Sequence, residues 1–411
     1  MAKKENRHAE LVSASVNIEA PYELPEGWKW CRQNEVCRLA DGEKKTDVSY
    51  PYLEVKYLRG NKEKDFVTSG KFITAGTKVI LVDGENSGEV FTVPEDGFMG
   101  STFKALSIQN VDENYLQFFI QTKKDLYRNN KKGSAIPHLN KDLFFNMPFP
   151  LPQNPAEQKR IVNRIETMFS KLDQAQEKAQ TVLDSFETRK AAILHKAFTG
   201  QLKIDNEELT IDDWEEKKLG DIVNGFKYGV SDKCDYKNDG IPVLRIPNVG
   251  DGTIDFTDLK YSERNNIEEN YIVKENDILI IRSNGSRELV GKSALYNNTD
   301  KQFSYGSFLI KITPSEVVNP KYLVTFLNSD DARNQMFNKA KSSSGIHNIN
   351  TKELSEIKLK LPPLNYQLSI INFLDTVLEK ESRAKEAAQT VLDQIALLKK
   401  SILARAFRGE I

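Results

Sequence analysis

Ala179-Gln180-Thr181-Val182-Leu183-Asp184 occurs a second time, unchanged, as Ala388-Gln389-Thr390-Val391-Leu392-Asp393. The identity extends on both sides of this hexapeptide. Residues 158–202 and 367–411 align without a gap at an offset of 209 and match at 19 of 45 positions. Because this offset is close to half of the 411 residues, the pattern indicates duplication of one large unit, not a solenoid of short repeats.

Both copies of the repeated segment carry the apolar pattern of a long helix. Apolar residues recur at alternating steps of four and three, which is the spacing of a coiled-coil seam. The first seam consists of Ile161, Ile165, Met168, Leu172, Ala175, Ala179, Val182 and Phe186. The second consists of Ile370, Leu374, Val377, Glu381, Ala384, Ala388, Val391, Ile395, Leu398 and Ile402, and Glu381 is its one interruption.

Start and stop signals flank both helical patterns. Asn154 is a favourable N-cap before Pro155, and Asn365 is expected to cap the second helix. Gly200 and Gly409 lie where the helices should end. Each helix is predicted to span about 40 residues, or roughly 60 Å. A single helix of that length cannot bury its apolar stripe, so we expect antiparallel pairing within the chain. An ordinary coiled coil between two chains is the alternative.

A mixed α/β domain precedes each long helix. Short strand-like runs such as 78–82, 90–93, 277–281 and 308–312 are separated by Gly, Asn and Asp, and amphipathic helical stretches follow near 113–128 and 319–339. The expected fold class is α+β, with two mixed α/β domains separated by two long antiparallel coiled-coil helices in an internal pseudo-twofold duplication. The predicted segments are an N-terminal arm (1–26), a first domain (27–152), a first spacer helix (153–200), a second domain (201–363) and a second spacer helix (364–411).

Composition places the chain among soluble globular proteins. Charged residues make up 28% and apolar residues 39% of the sequence. No apolar run approaches the length of a membrane span, and no signal peptide is visible at the start. The three scattered cysteines predict a reducing, cytoplasmic location and no zinc site. The net charge of −1 counts against a simple nucleic-acid binder, although loops can concentrate positive charge locally.

Both domains contain loops rich in side chains that can contact DNA. Arg can pair bidentately with guanine and Asn with adenine, whereas Lys contacts phosphate. In the second domain the candidate DNA-binding residues are Arg245, Asn248, Arg282, Ser283, Asn284, Arg287, Lys292, Tyr305, His347 and Asn348. In the first domain they are Lys44, Lys45, Lys56, Tyr57, Arg59, Asn86, Lys131, Lys132, Ser134 and His138. Taken singly, each of these could be an ordinary solvated side chain.

No catalytic motif is apparent in the sequence. The run from Gly285 to Ser293 resembles a phosphate-binding P-loop, but five residues separate its glycines where the motif needs four, and a hairpin turn explains it better. Asp83 and Glu85 follow a predicted strand, yet no Lys follows them at the spacing of a nuclease site. The sequence therefore predicts no catalytic residue and no metal site.

The combination of features resembles the specificity subunit of a type I restriction–modification system. The resemblance is carried by two divergent domains, each followed by a long repeated helix that ends in Ala-Phe-x-Gly, at 197–200 and 406–409. It is also carried by the Gly-Ser…His-Leu-Asn run at 133–140, which leads into Leu-Pro and then Glu157-Gln158-Lys159-Arg160. The second copy departs from this pattern, with Tyr366-Gln367-Leu368-Ser369 at the corresponding place.

The resemblance implies a function and a set of partners. Each domain would be a target recognition domain that reads one half of a split double-stranded DNA sequence, and the antiparallel helices would set the unread gap. The subunit would have no catalytic activity. Two modification subunits would dock on it and methylate DNA with S-adenosylmethionine, and restriction subunits that use ATP could join. Neither cofactor is expected to bind this chain.

Three other interpretations remain open at this point. The chain could be the specificity subunit of a type IIB-like or other phage-defence methylation complex, which neighbouring genes would reveal. It could be a coiled-coil adaptor whose domains bind protein, which predicts no sequence-selective DNA binding. It could also be an enzyme with an unrecognised site.

Overall fold

The computed structural model describes residues 20–133, 137–204, 207–208, 214–237, 240–263, 267–298, 301–343 and 345–411. Most of the predicted N-terminal arm and the candidate residue Ser134 lie outside these ranges. The chain divides into two compact units, Met1–Ala179 with Thr390–Ile411, and Gln180–Gln389. Each unit contains one mixed α/β domain and one half of each long helix, so the predicted fold class is confirmed.

The first unit holds nine strands and the first five helices of the described chain. The strands are β1 (Trp28–Arg32), β2 (Cys37–Ala40), β3 (Glu43–Leu53), β4 (Phe66–Ile73), β5 (Lys78–Leu81), β6 (Val90–Thr92), β7 (Gly97–Met99), β8 (Phe103–Ile108) and β9 (Pro148–Pro152). The helices are α1 (Val55–Leu58), α2 (Glu113–Thr122), α3 (Lys124–Asn129), α4 (Lys141–Phe145) and α5 (Pro155–Phe198), the last of which continues into the second unit.

The second unit holds the remaining described strands and helices. The strands are β10 (Lys203–Ile204), β11 (Glu207–Glu208), β12 (Glu215–Lys218), β13 (Val223–Tyr228), β14 (Cys234–Asp235), β15 (Pro242–Leu244), β16 (Gly252–Thr253), β17 (Lys260–Ser262), β18 (Ile278–Ile281), β19 (Ser283–Asn284), β20 (Ser293–Leu295), β21 (Ser304–Tyr305), β22 (Leu309–Pro314), β23 (Lys341–Ser343), β24 (Ile346–Asn348) and β25 (Lys358–Leu361). The helices are α6 (Pro320–Leu327), α7 (Asp330–Lys339), α8 (Thr351–Ser355) and α9 (Leu364–Ala406), the last of which continues into the first unit.

The two domains share one plan despite their low identity. In the first domain β1 pairs with β9, and a second sheet has the order β2-β8-β5-β6. In the second domain β12 pairs with β25, and a sheet of the order β13-β22-β18-β20-β16 repeats the second arrangement with one added strand. The first domain adds a three-stranded sheet in which β3, β4 and β7 pair with one another. The second adds the sheets β14-β17-β15-β21 and β19-β24-β23. Duplication is therefore visible in topology where it is faint in sequence.

One buried glutamine joins each long helix to the domain before it. Gln158 accepts a hydrogen bond from the Asp112 N–H at 2.7 Å and donates to the Pro152 carbonyl at 2.8 Å. Gln367 accepts from the Asn319 N–H at 2.7 Å and donates to the carbonyl of Pro362 at 2.8 Å. Asp112 and Asn319 are the N-cap residues of α2 and α6, so the same contact orients α2 in the first domain and α6 in the second.

The phenylalanine at the end of each long helix lies in a core built by the opposite helix's domain. Phe407 follows α9, and its ring lies 4.9 Å from that of Tyr115 and 5.3 Å from that of Phe119, both on α2. Phe198 ends α5 and packs in the same way on two aromatic rings of α6, at 5.2 Å from Tyr322 and 5.3 Å from Phe326. Each core also includes the first turns of the other long helix.

The long helices run antiparallel in both units. In the first unit, Arg160 near the start of α5 donates to the carbonyl of Ile411 at 2.6 Å, while Asp173 further along binds Lys399 at 2.5 Å. The partner number falls as the α5 number rises, which defines an antiparallel pair. In the second unit Arg189 binds Glu381 at 2.8 Å. The one interruption of the predicted seam is therefore filled by an ion pair between the two helices.

The structure confirms some of the helix signals and corrects others. The Asn154 side chain accepts from the Ala156 N–H at 3.0 Å, and Gly200 and Gly409 have φ values of 72° and 74° just beyond the helices. The prediction for Asn365 is wrong, because α9 begins one residue earlier and includes it. Three predicted seam residues of α9 are exposed, since none of the described elements covers them, namely Ala384, Val391 and Leu398. Among the described helices, none combines the length and apolar character that a bilayer crossing needs.

We expect Phe407→Ala to destabilise the first unit by about 3–5 kcal/mol, because the substitution removes a ring from an aromatic core. Phe198→Ala should have an effect of similar size on the second unit. Chemical unfolding gives the stability, and hydrogen exchange gives the location: α2 amides should lose protection in the first variant and α6 amides in the second. Leu397→Ala is the control, since this side chain is 68% exposed. Equal protection of α2 in Phe407→Ala and the unmodified chain would contradict the assigned role of Phe407.

Candidate nucleic-acid interface

Two stretches far apart in the sequence meet at one edge of the first domain. The loop after β5 and the segment before α4 are joined by hydrogen bonds from the Leu139 N–H to the Val82 carbonyl at 2.8 Å and from the Gly84 N–H to the Pro137 carbonyl at 2.8 Å. His138 Nδ1 lies 2.6 Å from a carboxylate oxygen of Asp83. We call this surface the first edge. It brings together the predicted residues Asn86, Lys131, Lys132 and His138.

The second domain builds a corresponding edge from corresponding parts of its chain. Strand β19, just after β18, pairs with β24, so that Ser283 lies opposite Asn348 and Asn284 opposite His347. The Ile349 N–H donates to the carbonyl of Arg282 at 2.9 Å. We call this surface the second edge. Its predicted residues Arg282, Ser283, Asn284, His347 and Asn348 are adjacent although more than 60 positions separate the two stretches.

Aromatic and apolar side chains that the sequence analysis missed lie at the second edge. The guanidinium carbon of Arg282 is 4.8 Å from the centre of the Tyr228 ring. One of its terminal nitrogens donates to the Ser307 carbonyl at 3.1 Å. The next residue, Phe308, is 59% exposed, and Ile346 is 52% exposed. Exposed apolar residues beside polar loops can stack on bases or insert between base steps. Only the strand pairing reveals that they are neighbours.

Three candidate residues of the second domain do not face solvent, and the prediction that their side chains contact DNA is corrected. Asn248 is 1% exposed, and its amide donates to the carbonyls of Asp255 and Asp258 at 2.9 Å. Tyr305 is fully buried, and its hydroxyl donates to a backbone carbonyl. Burial raises the pKa of Tyr305. Ser283, on β19, is 7% exposed. All three stabilise the fold behind the edge.

The Arg245 side chain is also bound within its own domain, to Asp258. Its guanidinium donates to the Asp258 carbonyl at 3.0 Å and to the Asp258 carboxylate at 3.1 Å. Its backbone N–H donates to the Asn248 side chain at 2.8 Å. Together these bonds close the loop between β15 and β17. By contrast, Arg282, Arg287 and Lys292 have no carboxylate partner among the described residues, so their charges remain available to an anion.

Most candidate cations of the first domain are neutralised within the domain. Lys131 binds Glu85 at 2.7 Å and Lys132 binds Asp142 at 2.5 Å, while Arg59 contacts Glu89. These contacts lower the pKa of Glu85 and that of Asp142, since a nearby ammonium favours the carboxylate. Exposed ion pairs of this kind are worth little and exchange readily. The first edge is therefore less cationic than the second.

The remaining candidates of the first domain lie on β3 and α1. Lys45 is 3.5 Å from the centre of the Phe72 ring and 3.4 Å from the Glu43 carboxylate, and its neighbour Lys44 is exposed. Lys56 is exposed on α1, whereas the Tyr57 hydroxyl donates to Glu95. That bond raises the pKa of Tyr57. Lys44 and Lys45 belong to the β3-β4-β7 sheet and not to the first edge, so the structure separates the first-domain candidates into two groups.

The side chains at the two edges are of the kinds that recognise a ligand through hydrogen bonds and charge. Within the described residues, no three His, Cys, Asp or Glu side chains are placed to hold a metal ion. Asp83 faces His138 and Glu85 faces Lys131, so neither carboxylate is arranged as a metal ligand with the other. Both edges present amides and an imidazole, to which the first edge adds ammonium groups and the second a guanidinium. These are the side chains that read base edges and neutralise phosphates.

We expect Asn248→Ala to lower the free energy of unfolding by about 1–3 kcal/mol, because it leaves buried carbonyl and N–H groups without their partners. Thermal unfolding would measure the loss. Lys44→Ala is the control, since it removes an exposed side chain without a described partner. An Asn248→Ala variant as stable as the unmodified chain would contradict the structural role of this amide.

Comparison with known proteins identifies relatives of the whole chain. A family model described as "Type I restriction modification DNA specificity domain" matches residues 25–183 and again residues 211–391. The specificity subunit of the type I restriction enzyme EcoKI from Escherichia coli K12 is 26% identical over 94% of this chain and 90% of its own length. The MjaVIII specificity subunit from Methanocaldococcus jannaschii is 26% identical over 94% of each.

Solved structures share the fold. A chain from a structural study of complex assembly and conformational transition in the type I restriction–modification system superposes with a TM-score of 0.72. It is 19% identical, and the match covers 95% of this chain and all of that one. The crystal structure of the HsdS subunit from Thermoanaerobacter tengcongensis gives a TM-score of 0.63 at 18% identity, covering 96% of this chain and all of the other. The duplicated architecture is thus present in both.

Proposed function

Because the chain belongs to the family of type I restriction–modification DNA specificity subunits, we propose that each of its domains reads one half of a two-part DNA target. The family members similar to it are specificity subunits, so this chain is a non-catalytic, DNA-binding component of such a system. The proposal adds how the specificity is divided. The first edge would recognise one half-site and the second edge the other.

The observation that carries this proposal is the equivalence of the two edges. Both are formed where the loop after the central strand, β5 or β18, meets the segment that leads into the last small helix. The backbone pairing is the same, yet Asp83 lies opposite His138 in the first edge, whereas Ser283 lies opposite Asn348 at the equivalent positions of the second. A shared frame with different side chains is what two different half-sites require, since bases are distinguished by their donor and acceptor patterns.

The exposed face of α9 supports docking of partner subunits on the helices. Val391, Leu397 and Leu398 are 37%, 68% and 49% exposed in the first unit, and Leu364 and Leu368 are 45% and 49% exposed in the second. Exposed apolar side chains along a helix are typical of a surface that another helix covers. Two modification subunits would dock there and methylate DNA with S-adenosylmethionine. Restriction subunits that use ATP would join where the system has them, and both cofactors would bind only the partners.

The two long helices would set the unread gap between the half-sites. Helices α5 and α9 contain 44 and 43 residues without a break. At 1.5 Å per residue each is about 65 Å long. Antiparallel pairing and the Arg189–Glu381 ion pair make such a helix pair stiffer than a single helix, so its length can act as a spacer.

Insertion of seven residues into both helices, after Ala179 and after Ala388, should lengthen the unread gap. One heptad preserves the seam and adds about 10 Å, or on the order of three base pairs at ~3.4 Å each. The gap is read from the methylated sequences of cells that express the variant with its modification subunit. A variant that assembles and methylates with the original spacing would show that the helices do not set the gap.

The decisive experiment is single-molecule mapping of methylated adenine in DNA from cells that express this chain with its modification subunit, compared with cells that lack the chain. We expect a new motif of two short defined halves around a fixed gap. Arg282→Ala should reduce the preference for one base pair, in one half of the motif only, by roughly 10- to 100-fold, because a bidentate Arg contact is worth about 1–3 kcal/mol. Lys360→Ala is the control, since Lys360 is an exposed residue of β25 outside both edges.

Other outcomes would favour other functions. An unchanged methylation pattern from an assembled complex would contradict DNA reading and favour a protein-binding adaptor. A split motif in a complex that lacks a separate restriction subunit would instead favour a type IIB-like or other defence system. An Arg282→Ala effect on both halves would contradict the division of the target between the edges.

A further inference from the structure

The ends of the loops after β5 and β18 can be aligned through their backbone hydrogen bonds. The Gly88 N–H donates to the Leu81 carbonyl at 2.7 Å, and the Gly291 N–H donates to the Ile281 carbonyl at 2.7 Å. Both glycines have positive φ, 96° and 86°. Gly88 and Gly291 therefore occupy one position of the duplicated fold.

The residue after each glycine differs in charge between the domains. The Leu81 N–H donates to the carbonyl of Glu89 at 2.8 Å, and the Ile281 N–H donates to the carbonyl of Lys292 at 2.9 Å. Glu89 and Lys292 are therefore equivalent positions. An acid in the first domain is replaced by a base in the second, so the local charge changes by two.

A helix lies under each glycine and carries a cation at the same place. A Cβ on Gly88 would be 3.0 Å from the Cβ of Tyr127 on α3, and a Cβ on Gly291 would be 2.6 Å from the sulfur of Met336 on α7. Three residues earlier on these helices are Lys124 and Arg333. Residues three apart share a helix face, so both cations face their loop.

The helix cation is neutralised in the first domain. The Lys124 ammonium is 3.5 Å from the Glu89 carboxylate, which Arg59 also contacts. In the second domain the equivalent position is Lys292, so it offers Arg333 no carboxylate. The carboxylates of Asp251 and Asp330 act on Arg333 electrostatically, and that of Asp251 is paired with Lys190 at 2.7 Å.

Arg333 and Arg287 lie against the same aromatic ring. The guanidinium carbon of each is 4.9 Å from the centre of Phe337. Arg333 donates to the carbonyl of Glu288, the residue after Arg287, and its Nη1 is buried without an acceptor among the described residues. Burial lowers the pKa of Arg333. The arrangement fixes the loop on α7 and leaves Arg287 exposed above it.

We propose that Arg287 and Lys292 bind one backbone phosphate of DNA, with Arg333 and Phe337 as positioning residues beneath them. This inference rests on the proposed DNA-reading function. It assigns a role to α7, which lies outside the reading loops, and it restricts the phosphate site to the second domain. Sequence reading gave no reason to group Arg333 or Phe337 with the loop residues.

The charges favour a phosphate over a base as the ligand. Arg287 and Lys292 belong to one short loop, Arg333 shares the Phe337 ring with Arg287, and like charges that share a ring repel each other unless an anion lies among them. A base edge is neutral and would not relieve this repulsion. A guanidinium held flat on an aromatic face keeps its N–H fork directed outward, and that fork matches the spacing of two phosphate oxygens.

The test measures how the affinity of the assembled complex for its mapped DNA target depends on salt. The logarithm of the binding constant falls linearly with the logarithm of the salt concentration, and each phosphate contact contributes about 0.9 to the slope. We expect Arg287→Ala to reduce the slope by about 0.9 and to leave the methylated motif unchanged. Arg287→Lys, which keeps the charge, should restore most of the slope.

The positioning role is tested by combining substitutions. Arg333→Met and Phe337→Leu should reduce the slope when Arg287 is present and have little further effect in the Arg287→Ala background, because both act through Arg287. Lys292→Glu, which copies the first domain, should reduce the slope at least as much as Arg287→Ala. Lys124→Met is the matched control in the first domain and should leave the slope unchanged.

Each outcome supports or overturns this assignment separately from the proposed function. A changed base preference in Arg287→Ala would show a base contact and overturn the phosphate site. The phosphate site would also be overturned if Arg287→Ala and Lys292→Glu complexes still bind their target selectively and show the same salt-dependence slope as the unmodified complex. Additive losses for Arg333→Met and Arg287→Ala, with unchanged thermal stability, would contradict the positioning role. If the unmodified complex does not bind DNA selectively, the proposed function itself is overturned.

Discussion

Each long helix ends inside a core in which the other long helix begins. The rings of Phe198 and Phe407 lie among the aromatic residues of α6 and α2, and the first turns of the opposite helix complete the same cores. Neither domain can therefore close its core with its own strands alone. In the first unit Leu403, Ala406 and Phe407 complete the core of the first domain, and in the second unit the end of α5 completes the core of the second. Both ends of both helices are therefore anchored in a core, which the proposed spacer role requires.

The apolar residues of the helix pair keep a regular heptad spacing, and each local exception has a physical reason. Glu381 interrupts the apolar seam, but Arg189 reaches it from α5, and the ion pair replaces a hydrophobic contact. The opposite exception occurs in the second half of α9, where Val391 and Leu398 keep the heptad spacing but are exposed. An apolar seam residue that is exposed to water loses the stabilisation of burial, so these side chains are best explained by the partner subunits that we propose to dock there.

The two domains carry different surface chemistry on one frame. Backbone pairing at the two edges is equivalent, and so are the glutamines and the capped helices behind them. The chemistry on the frame differs. Cations of the first domain are mostly paired with carboxylates, whereas Arg282, Arg287 and Lys292 have none within the described residues. Loops on a rigid scaffold can change in this way without loss of stability, which explains why the helices have remained alike while the domains have diverged.

The sequence by itself determined the duplication, the two long helices, their caps at Asn154, Gly200 and Gly409, and most strands, because these depend on local propensity and periodicity. It also indicated the loops that form the two edges. It could not show that Asn248 and Tyr305 are buried, since a polar loop residue looks the same in sequence whether it faces solvent or a buried carbonyl. Nor could it place Arg333 beside Arg287, which are 46 positions apart. Only the tertiary structure decided which polar groups remain free, because burial and charge pairing arise from contacts between segments distant in the chain.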